Sequence, residues 1–212
     1  MALVTIRGQL GSGAPEVGKL IAAELRADFV DREIIARVAA RLDRGEADVV
    51  AKESPPGDLL GRIAEALGRN PSSDVGFAGS YLPVWEIPLE DARYFQALES
   101  VIRELAQSPS IVINGRGSQF ILKSDPRVFH VQVVATPELR VRRVMEDRKL
   151  GQDDARREML RFDNSARKFI KRYFQVEVDD PAHYDLTINT GRLAFKAAAA
   201  IVIGALSARV QA

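Results

Sequence analysis

The sequence predicts an α/β domain whose parallel sheet is covered by helices on both faces, and three observations predict it. Short strands that are apolar along their whole length alternate with stretches of helical periodicity. The first strand runs straight into a glycine-rich turn and then a helix. With 46% hydrophobic and 28% charged positions over 212 residues, the chain can bury one sizeable core without a disulfide or metal staple.

Leu3 to Ile6 reads as the first strand, and Val17, Leu20, Ile21, Ala22 and Leu25 form the inner face of the helix after it. Phe29-Val30 is a brief second strand ending at Asp31. Ile34, Ile35, Val38, Ala39 and Leu42 line the next helix, and a further helix is expected over 59–67. Residues 68–88 are rich in proline and glycine, which breaks regular structure and predicts an irregular excursion. Helical periodicity returns from Ala92 to Ala106. Ile111 to Ile113 is a buried strand stopping at Asn114-Gly115-Arg116-Gly117, and Val128 to Val134 is another. Pro137 suits the first turn of a helix whose apolar positions are Leu139, Val141, Val144 and Met145. Asp153 to Tyr173 reads as a charged helix or helix pair. Leu186 to Ile188 is the last strand, and Leu193 to Leu206 the closing helix. One domain over 1–212 is expected, with an insertion around 44–95.

Composition excludes several classes. Disorder, collagen and mucin-like stalks do not fit. No cysteine is present, which removes disulfides, cysteine zinc sites and thiol nucleophiles. The two histidines, His130 and His183, cannot build a histidine-rich metal centre. The net charge of +1 makes no general demand for nucleic acid or an anionic membrane. AAAAIVIGAL is shorter than the roughly 20 residues of a membrane span, and the start lacks a signal-peptide pattern. A cytoplasmic protein is expected.

Gly8-Gln9-Leu10-Gly11-Ser12-Gly13 is the strongest local signal. Glycines there let backbone amides converge, and the helix N-terminus adds partial positive charge, a combination that suits phosphate. The plain alternative is a tight turn. The spacing is GxxxxG, the first part of a P-loop, but Ala14 and Pro15 stand where that loop has Lys and Ser or Thr. Lys19, one turn on, either leans back toward the phosphates or is a solvated surface lysine.

VTIRGQLGSGAPEVGKLIAAEL, FVDREII, VINGRGSQFIL, LRVRRVMEDRKL and HYDLTINT, in this order, resemble the cytidylate kinase-like family of P-loop proteins. The resemblance implies a three-layer P-loop NTPase fold with a five-stranded parallel sheet and an arginine-rich helical lid around 150–180. It implies an ATP-dependent phosphotransferase of the nucleoside monophosphate kinase type, using ATP and Mg²⁺ and acting on a pyrimidine nucleotide such as CMP. A non-catalytic, nucleotide-binding regulator on the same fold is the alternative. Gly8, Gly11, Ser12, Gly13, Ala14 and Lys19 would face the donor. Asp31 would orient the acceptor or hold Mg²⁺, or else cap the following helix. Arg37 matches a residue that binds the acceptor's phosphate, and Arg161, Asp163 and Arg167, with Arg172 beside them, match the lid.

Arg116 sits where ligands gather, and its guanidinium suits bidentate grip of a phosphate. The resembling segment has Asp at the positions of Asn114 and Gly117, so both carboxylates are missing here. Between residues 138 and 172 twelve basic side chains face seven acidic ones. Such an excess suits phosphoryl transfer, a solvated helix, or a nucleic-acid-binding helix. His183 and Tyr184 are expected to pack. Trp85 either stacks on a base or plugs an interface. Nucleotides are the expected ligands and a homo-oligomer is left open; neither a membrane nor nucleic acid is expected.

Overall fold

The computed structural model describes residues 2–31, 33–41 and 92–209. The expected helix over 59–67, the excursion over 68–88 and Trp85 lie outside the described residues. The chain runs β1 (Ala2–Gly8), α1 (Ala14–Leu25), β2 (Asp28–Val30), α2 (Glu33–Arg41), α3 (Ala92–Leu105), β3 (Ser110–Asn114), α4 (Ser118–Ile121), β4 (Val128–Val134), α5 (Pro137–Arg148) and α6 (Gln152–Phe174). A 3₁₀ turn (Pro181–His183), β5 (Leu186–Asn189) and α7 (Phe195–Arg209) complete it. The sheet is wholly parallel, in the order β2-β3-β1-β4-β5.

Successive strand side chains point to opposite faces, so an all-apolar strand needs cover on both sides. In β1, Leu3 joins the core under α2, α3 and α6, while Val4 and Ile6 join the core under α1 and α7. Ile111 and Ile113 of β3 face the first of these, and Val112 the second. This makes three layers. On the first side Phe162, Ala166, Phe169 and Ile170 bury one face of α6, and Phe95 of α3 stacks on Tyr173 with centroids 4.5 Å apart. The expected helix or helix pair is therefore one 23-residue helix, packed into the core along much of its length.

The all-parallel arrangement gathers the carboxyl ends of all five strands at one edge. Gly8, Asp31, Asn114 and Asn189 leave or follow their strands there. His130 Nδ1 is 2.7 Å from Thr5 Oγ1, and His183 meets the Phe120 ring edge-on at 5.3 Å. No helix among the described residues is long and apolar enough to cross a membrane.

Candidate active site

The turn after β1 is built to present amides. Gly11 and Gly13 adopt left-handed φ of 77° and 87°, and Gly13 caps α1 without a side-chain hydrogen bond. Three consecutive carbonyls of this turn are taken from behind. Arg140 Nε donates to Leu10 O at 2.7 Å, Arg143 Nη1 donates to both Gly11 O and Ser12 O at 3.2 Å, and Thr190 Oγ1 donates to Ser12 O at 2.6 Å. Each carbonyl shares its peptide unit with the next residue's N–H. Ser12 N–H is used within the turn by Gln9 O, at 2.9 Å. For the amides of Gly11, Gly13 and Ala14 no acceptor exists among the described residues. A polyphosphate fits such a turn, because donors aimed at one point beside a helix N-terminus favour an anion.

A buried ion pair fixes the turn. Arg140 Nη2 lies 2.5 Å from Asp163 Oδ2, and Asp163 Oδ1 accepts from Leu10 N–H at 3.3 Å. Both side chains are almost fully buried. The pair thus holds both polar groups of Leu10 and ties α5 and α6 to the turn. Arg143 is held in turn by Thr190, through Oγ1 at 2.9 Å and the backbone oxygen at 3.0 Å, and its guanidinium lies 4.8 Å from the Phe195 ring centroid.

A second turn follows β3. Gly115, Arg116 and Gly117 have φ of 70°, 60° and 70°, and Gly115 N–H reaches across to Ile6 O at 2.8 Å. Arg116 is buried there. Beside it, Gln119 Nε2 donates to Tyr184 Oη at 3.3 Å while Tyr184 donates onward to Val178 O at 2.7 Å. Because the tyrosine proton is already committed, the amide orientation is set, and among the described residues neither Gln119 Oε1 nor Ser118 Oγ has a partner. Arg7 also binds Val178 O and lies 2.8 Å from Asp179, whose other oxygen accepts from Arg167 Nε at 2.9 Å. Burial by itself would raise the Asp179 carboxyl, but the charges and hydrogen bonds of Arg7 and Arg167 outweigh it and hold it below the ordinary carboxylate range.

The other expected site residues take these places. Lys19 turns to β2, its Nζ 6.0 Å from the Phe29 centroid, and is exposed. Asp163 faces the backbone of the turn after β1 from inside the protein, not an open acceptor cleft. Arg37 pairs with Glu104 at 3.7 Å, on the helix end that leads to the amino edge of β3. Arg167 is exposed and held by Asp179, and Arg161 is half-buried on the same helix. Arg167, Lys168, Lys171, Arg172, Gln175 and Glu177 line a shallow surface groove. Asp31 is half-buried at the end of β2, and Gly8, Gly11, Ser12, Gly13 and Ala14 form the turn itself.

Sequence reasoning missed Arg7, Arg140, Arg143, Asp179 and Thr190. The expected apolar face of α5 is corrected too: Arg140 and Val144 are its buried residues, while Leu139, Val141 and Met145 are half-buried. One signal was legible. Arg140, Arg143 and Val144 follow i, i+3, i+4 spacing in a helix that starts at the carboxyl edge, so two arginines share its inward side.

Comparison with known proteins agrees with this architecture. A curated cytidylate kinase from Methanococcus vannielii is 31% identical over 91 residues, which are 42% of this chain and 52% of that protein. The chain thus spans about half the length of that relative. An uncharacterized protein from Eubacterium ventriosum superposes with a TM-score of 0.68 at 17% identity, covering 98% of this chain and 99% of that one. Shikimate kinase from Bacteroides thetaiotaomicron gives 0.51 at 12% identity, covering 100% and 99%. At these identities the structural likeness shows the fold. The model of the cytidylate kinase-like family matches residues 3–192, from the first strand through the Thr190 that closes on the turn after β1, and the chain belongs to that family.

Proposed function

We propose that the chain is an ATP-dependent phosphotransferase of the nucleoside monophosphate kinase type, with a (deoxy)pyrimidine nucleotide such as CMP as acceptor. The observation that carries this reading is the turn at 8–14, whose carbonyls at Leu10, Gly11 and Ser12 are engaged from behind while the amides of Gly11, Gly13 and Ala14 have no acceptor among the described residues. Family membership supports it. The amides of Gly11, Gly13 and Ala14 bind the donor's phosphates. Arg116 and Arg37 are the candidate grips on the acceptor, Arg37 after leaving Glu104. Asp31 is the carboxylate that would hold a Mg²⁺ ion together with phosphate oxygens and water, and that ion would neutralise charge on the transferred group. The γ-phosphoryl moves to an α-phosphate oxygen of CMP, giving CDP and ADP in equal amounts. Arg161 and Arg167 stabilise the charge on the moving group.

Product analysis with ATP, Mg²⁺ and each of CMP, dCMP and UMP tests this. Matching amounts of ADP and nucleoside diphosphate are expected, and their absence with every acceptor overturns it. Arg161→Ala or Arg167→Ala is expected to lower kcat at least about a hundredfold, roughly 2.7 kcal/mol. Full activity of the double variant overturns the lid role. A nucleotide-binding regulator is the second reading, favoured by Ala14-Pro15 in place of the lysine and hydroxyl. It predicts ATP binding with no product.

A further inference from the structure

A P-loop lysine normally brings a positive charge to the terminal phosphates, and Ala14 brings none. Two arginines stand behind the turn, and they differ in charge balance. Arg140 is neutralised by Asp163 at 2.5 Å. Arg143 gives its hydrogen bonds to four neutral oxygens: Gly11 O, Ser12 O, Thr190 Oγ1 and Thr190 O. No carboxylate among the described residues pairs with it; Glu16 and Glu146 act on it through longer-range attraction. One full positive charge therefore rests against the back of the turn. It acts on a particular peptide, because Ser12 O belongs to the same peptide unit as the N–H of Gly13, one of the amides without an acceptor. A cation on the carbonyl polarises that unit and strengthens its N–H as a donor.

From this we propose that Arg143 is a positioning residue that supplies, through the Ser12–Gly13 peptide group, the anion-attracting charge that position 14 lacks. The proposal rests on reading the turn as an anion site, but it needs neither nucleoside nor turnover. Phe195 fits the same role. Its ring lies along the guanidinium and closes over Gly13, where a Cβ would come within 2.3 Å of it, so the arginine is kept in one orientation.

Affinities for phosphate, pyrophosphate and tripolyphosphate, measured by calorimetry, test the proposal because a charge effect grows along this series and a packing effect does not. In Arg143→Gln the loss is expected to be about tenfold for tripolyphosphate and about twofold for phosphate. Arg143→Lys is expected to keep the parent's spacing between the three affinities even where all three fall. Adding Ala14→Lys to Arg143→Gln is expected to restore most of the tripolyphosphate affinity, since the missing charge returns from the usual side. Equal fold-losses for all three anions in Arg143→Gln, or no recovery with Ala14→Lys, overturns the proposal. So does a parent protein that binds none of the three. Should Arg143→Gln fail to fold, Arg143→Lys decides: loss of the spacing in a folded variant overturns the idea. Anion binding that follows these expectations, together with no CDP formed from ATP and CMP, leaves this proposal standing and removes the kinase.

Discussion

The turns after β1 and β3 are neighbours at the same edge of the sheet, and both rely on residues with positive φ, yet they are held by different forces. The first is held by charge: Arg140, Asp163 and Arg143 reach it from helices more than a hundred residues away in sequence and hold three successive carbonyls. The second is backed by apolar packing. A Cβ at Gly117 would touch Phe174 at 3.2 Å and Ile170 at 3.4 Å, and Phe120 lies 5.2 Å from Phe174 between centroids. Removing charge should therefore damage the first turn and spare the second, whereas changes in side-chain volume reach both.

The largest effect is expected at Asp163. Asp163→Ala leaves Arg140 buried without its partner and should cost about 3–5 kcal/mol in a denaturant titration, with anion binding at the first turn weakened beyond the loss of stability. A cost below 1 kcal/mol would mean that the pair does not hold the turn. Next comes a matched pair of glycine changes. Gly13→Val places a branched side chain into the Phe195 ring at left-handed φ and should cost roughly 2–4 kcal/mol, so its loss of ligand binding comes with a loss of fold. Gly117→Ala meets its first neighbour at 3.2 Å and should cost about 1–2 kcal/mol. Equal costs would show that the space around the two turns is alike after all.

Thr190→Val removes a hydroxyl that both accepts from Arg143 and donates to Ser12 O, while keeping the charge. About 1–2 kcal/mol of stability should be lost, and the three phosphate anions should weaken by a common factor. A loss that grows with anion charge would instead assign the field to the hydroxyl. The smallest effect is acid sensitivity at Asp179, which bridges Arg7 beside the first turn and Arg167 of α6. Its folded pKa lies below the unfolded value of 3.8, so its contribution is complete above that pH and fades as pH falls through the folded pKa. Asp179→Asn should flatten the stability profile below about pH 3.8. An unchanged slope there would remove Asp179 from the account.

The order of the apolar strands is readable in the sequence alone. Val128 to Val134 and the helix start at Pro137 agree with the structure residue for residue, because an apolar run needs burial on both faces and proline suits a first turn. The glycine turn was legible for the same kind of reason: positive φ and helix N-termini leave a local signature. The partners of that turn leave only a faint one, the i, i+3, i+4 spacing of Arg140, Arg143 and Val144. Arg140, Arg143, Asp163 and Thr190 meet it across 130 to 178 residues of chain, and a charged residue on a helix looks the same in sequence whether it faces water or a buried carbonyl. Ion-pair choice was likewise settled only in three dimensions, where Arg37 met Glu104 and Arg167 met Asp179. By itself, then, the sequence determined the layers, the strands and the amide-presenting turn, since local periodicity and backbone geometry decide those. Which of twelve basic side chains between 138 and 172 became a buried clamp and which stayed at the surface was decided by tertiary packing, because only the closed fold determines which guanidinium loses its water and must find an oxygen in the protein.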